Sequence, residues 1–177
     1  MPTLETDRLT LRAWEPDDAD FAFDLYSRWE VQRFIGAVPQ VMEDRSQAVE
    51  RIGIWRNVQH LVHAVWAVEL KATGQLTGTL LLKSIPASGD SVPLQPSGDT
   101  EIGWHFHPDH WGHGYASEAA AAVLKYAFSS GMKKVVAVTA PANVASQKVC
   151  GRIGMSHAGQ TSEYYNSLCE LFVVSAP

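Results

Sequence analysis

Cysteine is scarce in this chain: Cys150 and Cys169 are the only two in 177 residues. They are too few for a disulfide framework, and their spacing matches no zinc motif. Long apolar runs are missing as well. No window approaches the ~18 uninterrupted apolar residues that a membrane span needs, and the opening MPTLETDRLTLR lacks the apolar stretch of a secretory leader. Nor is there a basic run. With 14 Lys and Arg against 19 Asp and Glu, the net charge of −5 offers nucleic acid a poor footprint. These absences lead us to expect a cytoplasmic protein that binds neither nucleic acid nor membrane and keeps both thiols as small buried hydrophobes. The acidic balance slightly favours a cationic ligand.

What is present is ordinary globular material, 46% hydrophobic and 19% charged, enough to bury one core as a single domain over residues 1–177. Leu9 to Trp14 alternates as a strand does, and Pro16 and Asp17 then open a helix that runs through Tyr26. A second helix is expected from Glu43 to Val58, with Ala48, Ile52 and Trp55 on one face. HAVWAVEL and LTGTLLLKSI form a hairpin about KATGQ. Pro86 to Asp99 reads as a long flexible loop, and TEIGWHF resumes as a strand. The helix SEAAAAVLKYAFSSG, the β-branched strand KKVVAVTA and a short helix from Asn143 to Gly154 follow. Glu163 to Ser175 is strand-like to the end. The order is that of an α+β protein with one βαβ-like crossover.

The segment FHPDHWGHGYASEAAAAVL, Phe106 to Leu124, admits three readings. Gly112 and Gly114 lack Cβ and Ala116 is small, so the backbone can let a bulky anion approach. Ser117 and Glu118 open a strongly helical run, whose free N–H groups would face that anion. A dinucleotide loop would need an acidic residue at the end of the following strand, which KKVVAVTAP does not have. A metal site could draw on His105, His107, His110, His113 and Asp109, yet their spacing fits no recognised motif, and we expect no metal. On these residues alone, a plain connecting turn also stays open.

A second patch, APANVASQKVCGRIGM, sets Asn143 and Ser146 three apart at a helix start, where each could also be a simple cap. Together, the two patches resemble the GNAT acyl-CoA N-acyltransferases, in particular the branch that acetylates ribosomal-protein N-termini (RimJ/RimL-like). The pyrophosphate motif of that family, Q/R-x-x-G-x-G/A, falls on Trp111, Gly112, His113, Gly114, Tyr115 and Ala116. The opening LETDRLTLRAWEPDDADFAF also looks like the first strand and helix of that branch. Trp111 departs from the usual Gln or Arg, and His113 stands where a basic residue is commoner, which should weaken coenzyme binding slightly.

The resemblance implies the GNAT fold, a mixed and mostly antiparallel sheet with a splayed parallel pair of strands flanked by helices. It implies an acetyl-CoA-dependent N-acetyltransferase acting on a primary amine, with acetyl-CoA as co-substrate and a homodimer as one possible assembly. A non-catalytic acyl-CoA-binding module on the same fold is the alternative. It further implies that Ser117 and the helix start help hold the pyrophosphate, that the backbone of His105 and Phe106 lies nearest the thioester, and that Asn143 bonds the pantetheine arm. Ser146 maps to the general acid and Glu163 to the general base. Glu101, on the strand leading into the cleft, is the rival base, with Tyr164, Tyr165 and His105 as lesser candidates. On this mapping Glu163→Gln should lower turnover more than Glu101→Gln. Arg28 to Arg56 and Ser84 to Asp99 should shape the acceptor site, with Trp29, Phe34, Trp55 and Trp66 expected as core.

Overall fold

Leu9 and Leu11 alternate with Thr10 and Arg12, and in the computed structural model, which describes residues 1–177, that alternation becomes strand β2 (Leu9–Ala13) with both leucines fully buried. A two-residue strand, β1 (Leu4–Glu5), edges it. A single 3-10 turn at Pro16–Asp18 leads into α1 (Ala19–Ser27), followed by the short α2 (Trp29–Gln32) and by α3 (Arg45–Arg56). The Asp44 side chain caps α3 by accepting from the Ser46 N–H. Three long antiparallel strands come next: β3 (Ala64–Leu70), β4 (Leu76–Pro86) and β5 (Pro96–Phe106). Then α4 (Tyr115–Ser129), β6 (Lys134–Thr139), α5 (Val144–Arg152), β7 (Ser156–Thr161) and β8 (Cys169–Ser175) complete the chain.

All eight strands join one sheet in the order β1-β2-β3-β4-β5-β6-β8-β7, antiparallel everywhere except between β5 and β6. One face of the sheet packs against α4, with Trp66, Leu80, Leu82, Ile102 and Phe106 meeting Ala120, Val123, Leu124 and Ala127. The other face packs against α1 and α3, where Val65 and Ala67 meet Ala22, Leu25, Tyr26, Ala48 and Ile52. Burial on both faces makes β3 and β4 read as continuous apolar runs rather than as alternation. Cys150 and Cys169 are buried free thiols in α5 and β8.

Four features depart from the sequence expectation. Helix α4 begins at Tyr115, two residues early, because Gly114 supplies the turn into it. Strands β4 and β5 extend into the Pro- and Gly-rich segment and leave only a short connection. The tail holds two strands rather than one, β7 being a mostly exposed edge strand. Trp29 is 57% exposed, whereas Trp66 is fully buried as expected. Trp29 begins the isolated turn α2, where no sheet face is available to cover it.

Candidate active site

The glycine loop leaves the sheet at Phe106 and is tied back to it immediately. The Trp111 indole N–H donates to the Phe106 carbonyl at 2.7 Å, so the tryptophan closes the turn between β5 and α4. Gly112 and Gly114 both lie in the left-handed region, at φ 80° and 79°, which side chains bearing Cβ rarely adopt. A β carbon on Gly112 would meet nothing within 4 Å, so the surrounding protein leaves that space open. The N–H groups of residues 112–117 make no backbone hydrogen bond; the first to do so is Glu118, to the Gly114 carbonyl at 3.1 Å. The Ser117 hydroxyl is buried and also unpartnered. Consecutive free donors at the positive end of a fifteen-residue helix form an anion cradle.

Arg8 braces this cradle from behind. Its guanidinium donates to the His113 carbonyl at 3.0 Å, pairs with Glu118 and lies 4.7 Å from the Tyr115 ring centroid. The His113 ring stacks on that same Tyr115 ring, with centroids 5.4 Å apart. Nothing in the sequence order signals the role of Arg8, because its partners lie more than a hundred residues away. Since Glu118 neutralises it, Arg8 fixes the loop rather than presenting a bare cation.

The cradle lies beyond the C-terminal end of β5, where the sheet opens. Strands β5 and β6 share one register pair, Glu101 with Val136, and part beyond it. Toward Phe106 on one strand and Thr139 on the other, the facing edges are therefore unpaired with each other, and an extended ligand could bond to them as a strand would. Asn143 and Ser146 stand past the end of β6. The Asn143 side-chain Oδ1 accepts from the Ser146 N–H at 3.3 Å and caps α5, which leaves the side-chain amide nitrogen Nδ2 to donate elsewhere. Ser146 is half-buried.

Alternation along β5 sends Glu101, Gly103 and His105 to the face covered by α1 and α3. Glu101 is only 8% exposed. The Tyr165 hydroxyl donates to its Oε2 at 2.5 Å, and the Lys83 ammonium, opposite in the β4 register, is 3.9 Å away. Burial pushes the Glu101 carboxyl up, and Lys83 and then Tyr165 pull it partly back. Two residues on, a β carbon on Gly103 would sit 3.0 Å from Leu81 Cδ1, so glycine is what lets the Leu81 side chain close against the strand. Farther along the same face, His105 Nδ1 is 3.0 Å from the Tyr26 hydroxyl, which donates to Thr79 at 2.8 Å. Burial, with smaller effects from Lys83 and Arg51, holds His105 down to about 3. The imidazole is therefore neutral throughout the physiological range.

Tyr165 reaches Glu101 because two loops are stitched together. Ser88 N–H donates to the Glu163 carbonyl at 2.7 Å, the Ser88 hydroxyl to the Ser162 carbonyl, and the Asn166 side chain bonds both backbone groups of Gly89. Tyr164 donates to Asp99 at 2.8 Å, and Asp99 also pairs with Lys134. Tyr165 and Asn166 take φ of 58° and 52°, unusual for residues with Cβ and imposed by this network. The segment expected to be a flexible loop is thus the anchor for a side chain of the candidate site.

The structure brings Glu101, Tyr165 and Lys83 into one cluster, sets His105 with Tyr26 farther along the same face of β5, and brings Trp111 to Ser117 into another group. Glu163 stays outside both: it is exposed, and only its backbone is engaged. The histidines have separate employment. His105 bonds Tyr26, His107 lies 3.0 Å from Asp24, and His113 stacks on Tyr115. No three His, Cys, Asp or Glu side chains are grouped to hold a metal ion.

Residues 8–156 match the family model for the acetyltransferase (GNAT) domain. The chain is 32% identical to the uncharacterized N-acetyltransferase YoaA of Bacillus subtilis over 165 residues, covering 92% of this chain and 88% of that protein. Among solved structures, a GNAT-family acetyltransferase from Bacillus anthracis superposes with a TM-score of 0.78 at 22% identity, covering 99% of each chain. RimL, a ribosomal L7/L12 alpha-N-protein acetyltransferase solved with coenzyme A, gives 0.78 at 14% identity and covers 98% of each. At these identities the structural likeness is one of fold.

Proposed function

Because this chain belongs to the GNAT family of acetyltransferases, and so is an acetyl-CoA-dependent acetyltransferase, we propose that it acetylates a primary amine at Glu101. The observation that carries this reading is the alignment of three features along β5: a buried carboxylate, an unpaired strand edge, and the anion cradle beyond it. The residues present fit coenzyme A. The free N–H groups of residues 112–117 suit its pyrophosphate, the parted strand edges suit its extended arm, and the Asn143 amide nitrogen is available to that arm. Acetyl-CoA supplies the activated acetyl group as a thioester.

Glu101 accepts, through intervening water, the proton that the attacking amine must lose. Its raised pKa brings it nearer the working pH than an ordinary carboxylate, which makes its ionised form the stronger base. Tyr165 and Lys83 keep that form populated. A backbone N–H on the free edge near His105 and Phe106 stabilises the developing oxyanion, and the Ser146 hydroxyl donates to the departing sulfur. We place Glu101 ahead of Glu163 because Glu101 is desolvated and oriented, whereas Glu163 is exposed. We also place the enzyme in the cytoplasm, where two unbridged thiols stay reduced.

A thiol-release assay with acetyl-CoA across a panel of amines and peptides tests the reading. Release that depends on a primary amine and disappears in Glu101→Gln supports it. Tight acetyl-CoA binding without release for any amine would instead mark a non-catalytic module.

A further inference from the structure

The acceptor side of the cleft holds two cations and too few anions to balance them. Lys83 stands opposite Glu101 in the β4–β5 register, its ammonium 5.4 Å from the Tyr165 ring centroid. Arg51 lies on α3 one turn before Trp55, and Trp55 packs on Tyr26 with ring centroids 5.7 Å apart. Helical spacing therefore sets Arg51 and Trp55 on the same side of α3. Neighbouring arginines are engaged: Arg28 with Asp24, Arg45 with Asp20, and Arg56 with the Trp14 carbonyl. Arg51 has no such partner and is exposed. Both Arg51 and Lys83 act electrostatically on His105, so both charges border its surroundings.

The acids around this space are largely spoken for. Asp24 serves Arg28 and His107, while Asp99 serves Lys134 and Tyr164. Glu163 is exposed, on the loop that carries Tyr165. With Asp99 engaged, Glu101 is the acid left on this face of β5. The local charge is therefore positive, opposite in sign to the net −5 of the whole chain.

We propose that the acceptor is an amine bearing a carboxylate on the same molecule, its nitrogen at Glu101 and its carboxylate between Lys83 and Arg51. This inference rests on the acetyl-transfer reading and narrows the acceptor to amino-acid-like zwitterions. An anion placed there gains charge-assisted hydrogen bonds from both cations. A polyamine would instead bring more positive charge toward Lys83 and Arg51, and is selected against.

Matched acceptor pairs test the idea: a panel of amino acids and their C-terminal amides, compared at equal concentrations of free amine because loss of the anion also lowers the amine pKa. Thiol release should favour the carboxylate member by about tenfold or more in kcat/KM, the size of one charge-assisted contact. Arg51→Gln should bring that ratio toward unity, chiefly through the acceptor KM, with the KM for acetyl-CoA and the melting temperature unchanged. Arg51→Lys, which keeps the charge, should retain most of the preference. Lys83→Gln should also lower the ratio and, in addition, shift the acidic limb of the pH profile upward. A wild-type ratio at or below one, or a ratio unchanged in Arg51→Gln, overturns the inference and leaves acetyl transfer standing. Bound acetyl-CoA with no release from any acceptor defeats the transfer reading itself.

Discussion

The Tyr165 hydroxyl donates to Glu101 Oε2 at 2.5 Å, joining two residues 64 positions apart. Tyr165 is held at φ 58° by a loop that Ser88, Gly89 and Asn166 pin in place. The bond puts a neutral donor against a buried carboxylate and, with burial and Lys83 as the larger influences, helps set how readily that carboxylate ionises.

Replacing Glu101 by Gln should separate activity from stability. Removing a positioned base lowers turnover by about 10²–10⁴-fold, while the amide oxygen can still accept from Tyr165. Glu101 titrates above its ordinary value of 4.5 in the folded protein. Its stabilising contribution is present below that ordinary value and is lost as pH rises through the elevated one. At neutral pH Glu101→Gln should therefore melt at or above the wild-type temperature. Glu163→Gln, altering an exposed side chain, should change turnover far less; steady-state kinetics showing the reverse order would move the base to Glu163.

Tyr165→Phe removes a hydrogen bond that lowers the pKa of Glu101. The acidic limb of kcat/KM should move to higher pH, with activity recovering at alkaline pH. An unshifted limb would mean that Glu101 is not the group whose ionisation is being read.

Gly114→Val places a β-branched residue at φ 79° and sets its Cβ 3.7 Å from Arg8 Nη2. Strain of about 1–2 kcal/mol is expected in the loop. The larger effect should be on the coenzyme, because the side chain disrupts the cradle of N–H groups. Calorimetric titration should show acetyl-CoA affinity reduced by at least about tenfold, some 1.4 kcal/mol, with the far-UV spectrum preserved. Normal affinity would remove the pyrophosphate from this loop.

His105 makes the acid limb of stability testable. Its pKa falls from 6.5 to about 3 on folding, so the unfolded chain binds the extra proton first. The stability it contributes is complete above 6.5 and is lost progressively as pH falls from there toward about 3. A melting-temperature profile should slope downward over that range, and His105→Gln should flatten it. A profile as steep in the variant as in the wild type would show that other groups dominate.

Much of this site was legible from residue order, and what was not has a physical reason. The cradle could be read because Gly112, Gly114, Ala116 and the helix start are adjacent in sequence. Strands β2, β3 and β6 could be read from alternation or β-branched runs. Strand β7, SHAGQT, lies on the sheet edge and is mostly exposed, so it has no apolar face to betray it. The Glu101–Tyr165 bond was hidden because it depends on two loops meeting, and loops that meet through Ser, Gly and Asn backbone contacts leave no periodic signal. Arg8 was hidden likewise: only the folded chain brings β2 beside the start of α4.

The lone β5–β6 register pair has a mechanical consequence. It divides the sheet into a five-stranded leaf and a three-stranded leaf hinged at Glu101 and Val136. A donor arm that bonds to both free edges is in effect the missing rung of the ladder. Loading the enzyme should therefore stiffen the hinge at the residue that must be aimed, and amide exchange along Gly103 to Phe106 and Val138 to Ala140 should slow most when acetyl-CoA binds. In such a sheet, the first substrate completes the scaffold on which the second one reacts.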